Sequence, residues 1–589
     1  MDKNEGIVKE INGPVVKGIQ MGSFKLNEMV TVGKQKLIGE VVSIDGDVAT
    51  VQVYEETEGL QAGEKILYTG SPLSATLGPG MLGNIFDGIQ RPLGKINTLS
   101  ENFIPEGIGL LSLDEEKQWE AHMTVKPGDV LQPGMVYATV QETLSITHKL
   151  MVPWHSGGKV TEVKPDGLYT LNDTVVVLEK ANKEKVSLTL VSKWPVRSPR
   201  PIKRRIPIYK PLITGQRVID SFYPVAKGGT VGIPGGFGTG KTVTQHQLAK
   251  WSDADIIIYI GCGERGNEMT DVLEEFPALM DPRTGRPLME RTILIANTSN
   301  MPVAAREACI YTGITMAEYY RDMGYDVAIM ADSTSRWAEA LREISGRLEE
   351  MPAEEGYPAY LPSRLAEFYE RAGCVETLNG QEASVTIIGA VSPPGGDFSE
   401  PVTENTKRFV TTFLALDKKL AYARHYPAIN YLTSYSGYIN MLEDWYSENV
   451  APDMLELRAK MVKLLQEEEK LNEIVQLVGE DVLPNDQALV LEIARIIKKG
   501  FLQQNALHKE DTYAVLEKQY KMLKLIDELY ENALRCVKMD IPISMIKSQE
   551  VMQDVLKMKY DIPNDRLELL DQLRERIVET YYNLSRKYE

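Results

Sequence analysis

A glycine-rich segment near the middle of the chain has the residue types and spacing of a phosphate-binding loop. Residues 235–242 read GGFGTGKT and fit the pattern G-x-x-x-x-G-K-[ST]. Glycines let successive backbone N–H groups point inward at phosphate oxygens, and the positive end of a following helix adds to the attraction. In this pattern we expect Lys241 to meet the β- and γ-phosphates and the Thr242 hydroxyl to ligate Mg²⁺. The predicted nucleotide contacts are Gly235, Gly236, Phe237, Gly238, Thr239, Gly240, Lys241, Thr242 and Val243.

The surroundings of this loop favour a folded site over a flexible glycine-rich linker. The apolar run 230–233 directly before the loop is typical of a strand, and residues 241–251 after it have helical spacing. A linker would not require a strand and a helix at those two positions. We therefore predict a strand, a phosphate-binding loop and a helix in succession.

Three charged residues follow two other apolar runs. Asp332 ends the run 327–332 (VAIMAD), where a carboxylate would face Mg²⁺, and Glu264 and Arg265 come soon after the run 255–261. Parallel strands place ligands at their carboxyl ends, so these side chains should face the phosphates. A carboxylate there can orient or deprotonate an attacking water, and an arginine can neutralise charge on the phosphate oxygens. From spacing alone, a surface Glu–Arg pair at a helix start is an equal alternative for Glu264 and Arg265.

Residues 200–440 carry strand signals that alternate with helical spacing. One clear helical stretch is 302–323, and the short apolar runs suit strands buried on both faces of a parallel sheet. The predicted strands are 229–234, 255–261, 292–297, 326–331 and 384–390. This pattern predicts an α/β architecture that holds the loop and the charged residues.

The regions on either side of 200–440 predict all-β and all-α structure. Strand signals in the first 70 residues surround a tight turn at Asp45-Gly46, and closing them into a small barrel would remove exposed edges. A second β-rich stretch, 117–190, has a KPGD turn like those of lipoyl or biotinyl carrier domains. Because Lys149 does not lie between two methionines in a hairpin, we prefer a structural β-module. After residue 441, helical spacing with mixed charges predominates, as in 454–478.

Composition sets the class of protein and excludes several functions. The 589 residues exceed what one hydrophobic core holds, and 43% hydrophobic with 25% charged residues is typical of a globular protein. The formal charge of −18 repels phosphate backbones, so we expect no nucleic-acid partner. Four widely spaced cysteines predict free thiols, and the absence of a signal-peptide pattern or a long apolar run predicts a cytoplasmic location.

Taken together, the motifs resemble those of the catalytic A subunits of V-type and archaeal-type rotary ATPases. The resemblance covers nearly the whole chain, and its motifs follow the family's order. Besides the glycine-rich loop, it rests on GCGERGNEM at 261–269, NTSNMP at 297–302, DSTSRW at 332–337, GRLEEMP at 346–352, SPPGGD at 392–397 and PAINYLTSYS at 427–436.

The resemblance implies a multidomain fold and a catalytic function. The expected fold has an N-terminal β-barrel, a β-rich insertion, a RecA-like α/β P-loop nucleotide-binding domain and a C-terminal α-helical domain. The predicted bounds are 1–70 for the barrel, 71–116 for a connecting segment, 117–190 for the insertion, 191–440 for the nucleotide-binding domain and 441–589 for the helical domain. The expected activity is hydrolysis or synthesis of ATP, coupled to rotation and to H⁺ or Na⁺ transport.

The resemblance also implies roles for single residues. Glu264 is expected to activate water, Arg265 to contact the γ-phosphate, and Asp332 to hold Mg²⁺ through water, with Mg²⁺ bound together with ATP or ADP. Tyr426 resembles the aromatic residue that stacks on adenine. Leu507 stands where many relatives have an aromatic residue, so we expect one wall of the adenine pocket to be aliphatic.

Another position departs from the family in the loop itself. Thr239 stands where some relatives have a redox-sensitive cysteine, so the resemblance does not imply thiol control of the loop.

The implied partners are those of a rotary machine. They are a non-catalytic B subunit in an alternating ring of three A and three B, central-stalk rotor subunits and a peripheral stalk. The B subunit would supply an arginine to the site in trans. The chain would meet the membrane only through the ion-translocating sector, on the cytoplasmic face of the cell membrane.

Three other functions fit the sequence less well. A non-catalytic nucleotide-binding ring subunit would tolerate loss of Lys241 or Glu264, and this chain keeps both. A homohexameric export-type ATPase would lack the 117–190 module and the long helical tail. A hexameric RNA helicase is disfavoured by the −18 charge and by the absence of a basic patch interleaved with aromatic residues.

Overall fold

A computed structural model describes residues 5–100, 111–479 and 482–588, and begins with six strands. These are β1 (Glu5–Asn12), β2 (Val15–Ile19), β3 (Glu28–Val32), β4 (Leu37–Asp45), β5 (Val48–Val53) and β6 (Lys65–Pro72). They close a barrel in the order β1-β2-β5-β4-β3-β6, around a core that includes Val16, Val30, Val51 and Ile66. The predicted barrel is confirmed, and β6 completes it by pairing with both β1 and β3.

The segment 71–116, predicted only as a connection, contributes regular elements to two sheets. It contains β7 (Ser74–Leu77), β8 (Ile85–Phe86) and α1 (Leu93–Ser100). Ten strands follow: β9 (Trp119–Met123), β10 (Val130–Leu131), β11 (Val136–Gln141), β12 (Thr147–Met151), β13 (Gly158–Val163), β14 (Gly167–Tyr169), β15 (Val176–Glu179), β16 (Lys185–Leu188), β17 (Ser192–Pro195) and β18 (Arg204–Ile206). The insertion is built from two four-stranded sheets, β10-β13-β15-β16 and β12-β11-β9-β14, while β7 pairs with β17.

The next region alternates strands and helices, as predicted. Its elements are β19 (Thr230–Pro234), α2 (Lys241–Trp251), β20 (Ile256–Cys262), α3 (Gly266–Ala278), β21 (Thr292–Asn297), α4 (Val303–Asp322), β22 (Asp326–Asp332), α5 (Thr334–Arg347), α6 (Leu361–Tyr369), β23 (Gly373–Glu376), β24 (Glu382–Val391), α7 (Pro401–Phe409), β25 (Thr412–Phe413), α8 (Lys418–Tyr422) and β26 (Tyr435–Ser436). The five predicted strands and the helix 302–323 are confirmed, with ends that differ by no more than two residues.

The C-terminal region is helical. It contains α9 (Glu443–Asn449), α10 (Met454–Val478), α11 (Asn485–Ile496), α12 (Leu516–Lys538), α13 (Ile543–Lys547), α14 (Glu550–Asp561) and α15 (Glu568–Arg586). The described residues also form π-helical turns at Val218–Phe222 and Ile497–Leu502 and 3₁₀ turns at Leu288–Arg291, Glu354–Gly356 and Pro394–Gly396. None of the helices in the described ranges is both long enough and apolar enough to span a membrane.

The chain divides into two compact units that do not follow its linear order. The first is formed by Met1–Pro207, Gly228–Thr230 and Ala254–Phe409, and the second by Ile208–Lys227, Val231–Asp253 and Val410–Glu589. In the first unit, the parallel strands β24, β22, β20, β21 and β8 lie side by side in that order, and β23 pairs antiparallel with β24. In the second unit, Val231 and Gly232 of β19 pair in parallel with β25.

A buried carboxylate fixes the insertion to helix α4 in the first unit. Glu142 Oε1 accepts a hydrogen bond from Gly80 N at 2.8 Å, and Oε2 accepts one from the Tyr320 hydroxyl at 2.9 Å. His148 Nδ1 lies 2.8 Å from Oε2 with both side chains fully buried. Burial raises the pKa of a carboxyl group, but the charge and hydrogen bond of His148 and two backbone N–H bonds outweigh it and lower the pKa of Glu142.

Replacing this carboxylate should destabilise the first unit. In Glu142→Ala, His148 and the Tyr320 hydroxyl lose a buried partner, so we expect the free energy of unfolding to fall by about 3–5 kcal/mol. Thermal unfolding of the full chain should show an apparent Tm lower by several degrees. The matched control is Glu184→Ala, which removes an exposed carboxylate of the same module and should leave Tm unchanged. Equal Tm values for the two variants would contradict this role of Glu142.

Candidate functional site

The glycine-rich loop joins β19 to α2 in the second unit. Gly238 and Gly240 have φ of +77° and +82°, in the left-handed region that favours glycine. A Cβ at Gly240 would lie only 3.2 Å from Tyr426 Cε1, so a side chain there would press on the tyrosine ring. Helix α2 begins at Lys241, and the N-terminus of a helix is a ready site for an anion.

The side chains of the loop differ in what they offer a ligand. Thr239 is buried and its hydroxyl donates to Gly236 O at 2.7 Å, which braces the turn from within. Lys241 and Thr242 are partly buried at the start of α2. Phe237 and Val243 are exposed, at 82% and 54% of their surface. A phosphate held by this loop would therefore meet backbone N–H groups and the Lys241 and Thr242 side chains.

An exposed aromatic ring stands next to the loop within the same unit. Tyr426 is 41% exposed, and its carbonyl accepts a hydrogen bond from Gln504 N at 2.8 Å. Leu507 is 96% exposed, and its N–H donates to Asn505 Oδ1 at 2.9 Å. An aromatic face open to solvent is suited to stacking on a nucleobase. The structure thus brings the predicted adenine residue Tyr426 to the predicted phosphate loop.

The first unit places the predicted acidic residues at the ends of neighbouring strands, Asp332 as the last residue of β22 and Glu264 two residues after β20. Gly261 of β20 pairs with Asp332 of β22, and Glu264 follows three residues later. Asp332 is 2% exposed and its Oδ2 accepts a hydrogen bond from the Tyr259 hydroxyl at 3.1 Å. Because the strands are parallel, Glu264 and Asp332 lie at the same edge of the sheet.

The turn that carries Glu264 is held on both sides. The Glu264 carbonyl accepts from Ser299 N at 2.9 Å, and Gly263 N donates to Asn297 O at 2.6 Å. Gly263 has φ of +71°, and a Cβ there would lie 2.7 Å from Arg336 Cβ. Arg265, next along the chain, is exposed, while Glu264 is half-buried.

Cys262, at the end of β20, is buried beside Cys309. Burial and the neighbouring thiol raise its pKa well above the usual range. The thiol is therefore protonated at neutral pH and is not a nucleophile.

Two polar residues near Glu264 were not predicted as site residues. Asn297 pairs with Cys262 at the end of β21 and is 1% exposed, yet its side-chain amide has no hydrogen-bond partner among the described residues. Arg306 donates from Nη2 to Ser299 O at 2.9 Å and packs against Gly263. Asn297 could have been singled out as the polar residue that ends a predicted buried strand, whereas no sequence signal pointed to Arg306.

The donor chemistry of the predicted metal residues fits Mg²⁺. The described ranges contain no group of three or more His, Cys, Asp or Glu residues able to hold a metal. Thr242 offers a hydroxyl and Asp332 a buried carboxylate, both hard oxygen donors. Mg²⁺ usually takes one or two protein oxygens together with substrate phosphates and water, so a larger protein cluster is not required.

Four family profiles match successive parts of the chain. Their descriptions are the β-barrel domain of the ATP synthase alpha/beta family (8–70), the alpha/beta subunit barrel-sandwich domain (110–197), the nucleotide-binding domain of the ATP synthase alpha/beta family (215–436) and the C-terminal domain of V and A type ATP synthase (443–546). With the closed barrel, these matches confirm the predicted fold class.

Individual relatives match over the full length. The chain is 66% identical to a V-type ATP synthase alpha chain 2 of Clostridium tetani, covering 100% of this chain and 99% of that one. It is 61% identical to a V-type ATP synthase alpha chain of Halothermothrix orenii, over 100% of each chain. It is also 58% identical to the A subunit of the A-type ATP synthase of Methanopyrus kandleri, over 98% of each chain.

A solved structure shares the fold at lower identity. The assembled ATPase EscN, from the type III secretion system of enteropathogenic E. coli, has a TM-score of 0.64 at 21% identity. The match covers 88% of this chain and 99% of that one. This likeness shows the fold alone.

The residue before Tyr426 predicts a pH dependence of stability. Burial, with Lys559 and Lys498 nearby, lowers the pKa of His425 to about 4. As the pH falls from about 6.5 to about 4, His425 binds a proton in the unfolded chain but stays neutral in the folded chain. The free energy of unfolding therefore decreases over this range. We expect the apparent Tm of His425→Gln to fall less over this range than that of the unmodified chain. The control His155→Gln changes an exposed histidine and should keep the original dependence, and an identical profile for both variants would refute the assignment.

Proposed function

The chain belongs to the family of V-type ATP synthase alpha chains and their A-type counterparts, and we propose that it carries the catalytic nucleotide site of a rotary ATPase. It is part of a multisubunit complex that hydrolyses or synthesises ATP and couples this to ion transport. The relatives that match along the full length are named as alpha chains or A subunits, which does not favour the non-catalytic or export-type alternatives.

One observation supports the nucleotide assignment most strongly. The left-handed glycines of the loop, the start of α2 and the exposed face of Tyr426 lie together in one unit. A polyphosphate needs inward N–H groups and a helix N-terminus, and adenine needs an aromatic face. The two ends of ATP therefore have adjacent binding surfaces of matching chemistry.

The proposed reaction is in-line attack of water on the γ-phosphate. The loop N–H groups and Lys241 hold the β- and γ-phosphates and stabilise the charge that develops on the leaving group. Glu264 orients the water and accepts its proton, and Arg265 contacts the γ-phosphate oxygens. Half-burial of Glu264 and the fixed turn around Gly263 support a carboxylate held in one direction.

Mg²⁺ would neutralise phosphate charge when bound, with the Thr242 hydroxyl as a ligand and Asp332 as the partner of a metal-bound water. The Tyr259 hydroxyl holds one oxygen of Asp332, which supports a fixed carboxylate in this role.

The finer account of the assembly is also a proposal. We infer a ring of three copies of this chain alternating with three non-catalytic B subunits, each B subunit donating an arginine to a neighbouring site. Rotor and peripheral-stalk subunits would connect the ring to the ion-translocating sector at the cytoplasmic face of the cell membrane. If the rotor changes nucleotide affinity site by site, reciprocal linkage allows the same machine to run in either direction.

Glu264→Gln tests the proposed reaction. The amide cannot accept the proton of water, so turnover in the assembled complex should fall by about 10²–10⁴-fold, while the Kd for Mg-ATP stays within about threefold. Steady-state phosphate release and equilibrium nucleotide binding give the two quantities. Glu274→Gln, an exposed position on α3, is the matched control and should keep normal turnover. Unchanged turnover in Glu264→Gln would remove this residue from its proposed role.

A further inference from the structure

The segment Gln503–Leu507, here called the base loop, connects the C-terminal helices to the predicted adenine face. Gln504 N donates to the Tyr426 carbonyl at 2.8 Å, and Gln503 Nε2 donates to the Arg424 carbonyl at 3.1 Å. The base loop thus runs beside Tyr426 and ends at the exposed Leu507. Whatever fixes Gln503 and Gln504 also fixes the residues that face adenine.

A buried ion pair holds the base loop. Arg217 Nη2 lies 2.7 Å from Asp511 Oδ1, with both side chains fully buried. The same guanidinium donates to the Phe501 carbonyl at 2.6 Å and to the Gln503 carbonyl at 2.9 Å. Asp511 Oδ2 accepts from Asn505 N at 2.6 Å. The ion pair therefore holds the base loop at Gln503 and at Asn505.

A lysine from a distant helix also holds the base loop. Lys559 on α14 is 2% exposed, and the ion pairs of the described residues include none that involves it. Its ammonium donates to Lys499 O at 2.6 Å, to Gln503 O at 3.0 Å and to Gln503 Oε1 at 3.3 Å. All three N–H donors are therefore used by Lys499 and by Gln503, the first residue of the base loop. Burying an ammonium group without an ion-pair partner lowers the stability of a fold. The presence of Lys559 at this position therefore suggests a role other than stabilisation.

We propose that Lys559 is a positioning residue for the adenine end of the nucleotide site: its ammonium holds Gln503, and through it the base loop, against Tyr426. This inference rests on the proposed function, because it takes Tyr426 as the adenine contact. It makes the affinity for the base, but not for the phosphates, depend on helix α14.

The surroundings of the ammonium give the device a pH dependence. Burial lowers the pKa of Lys559 to about 8; Asp511 opposes this shift and Arg217 adds to it. His425, Lys518 and Tyr560 are other titratable groups close by, and the Tyr560 ring centroid lies 4.8 Å from the Lys559 ammonium. Burial also lowers the pKa of Lys518 to about 8. Above pH 8 the neutral amine has two N–H groups for three acceptors, so it holds Gln503 less firmly.

The test is Lys559→Met in the assembled complex, with ATP and inorganic tripolyphosphate as probes. Loss of the charged donors should raise the Kd for ATP about tenfold at pH 7 and leave the Kd for tripolyphosphate unchanged, because only ATP carries the base. The effect of the substitution on ATP should narrow at pH 9. Lys557→Met, an exposed lysine on the same helix, is the matched control and should leave both constants unchanged.

A second variant keeps the proposal testable if the methionine is not tolerated. Lys559→Gln retains side-chain donors and should raise the Kd for ATP by a smaller factor, again without effect on tripolyphosphate. An unchanged Kd for ATP in a folded Lys559 variant would overturn the proposal, and so would an equal loss of ATP and tripolyphosphate.

Tyr426→Ala separates failure of this inference from failure of the proposed function. If Tyr426→Ala weakens ATP but not tripolyphosphate while Lys559→Met changes neither, the adenine site stands and Lys559 does not position it. If Tyr426→Ala leaves ATP binding unchanged, the proposed adenine site is wrong, and the inference on Lys559 falls with it.

Discussion

Backbone N–H groups bind a polyphosphate only where the chain curls tightly enough to point several of them at one place. Here that curl depends on Gly238 and Gly240, whose positive φ angles few other residues adopt. Gly240 has a second constraint, because the Tyr426 ring leaves no room for a Cβ of ordinary contact distance. The same glycine therefore shapes the proposed phosphate loop and leaves room for the Tyr426 ring beside it.

The acidic residues are positioned by a different physical device. Parallel pairing of β20 with β22 sets the register Gly261–Asp332, and the register brings two carboxylates to one edge of the sheet. Glu264 follows the end of β20 by only two residues, and backbone hydrogen bonds of Gly263 and Glu264 hold this turn in place. A buried hydroxyl from Tyr259 fixes Asp332 in turn. In this account, the loop backbone is proposed to bind the phosphates, and the strand register positions the carboxylates proposed for the chemistry.

Local sequence pattern was enough for the elements that carry a strong local signal. The barrel, α2 and the bounds of α10 could be predicted in this way. So could five strands of the α/β region, because each is a short apolar run that is buried along nearly its whole length. Strand β6 could not, since Ile66 is the only fully buried residue of Lys65–Pro72 and gives no alternation. The site divides in the same way: the glycine loop is a local motif, whereas the Arg217–Asp511 pair and the reach of Lys559 to Gln503 join residues far apart in the chain. Tyr426 and Leu507 were predicted from family resemblance and not from their local pattern.

The central claim is that the glycine-rich loop binds the phosphates while Glu264 orients the water that attacks the γ-phosphate. The most direct measurement is a structure of the assembled complex with Mg-ADP and a fluoroaluminate that mimics the γ-phosphate in the transition state. The account predicts Lys241 on the phosphates and a Glu264 carboxylate oxygen within about 2.6–3.2 Å of the in-line water. A bound phosphate mimic whose in-line water contacts some other residue, with Glu264 out of reach, would contradict it.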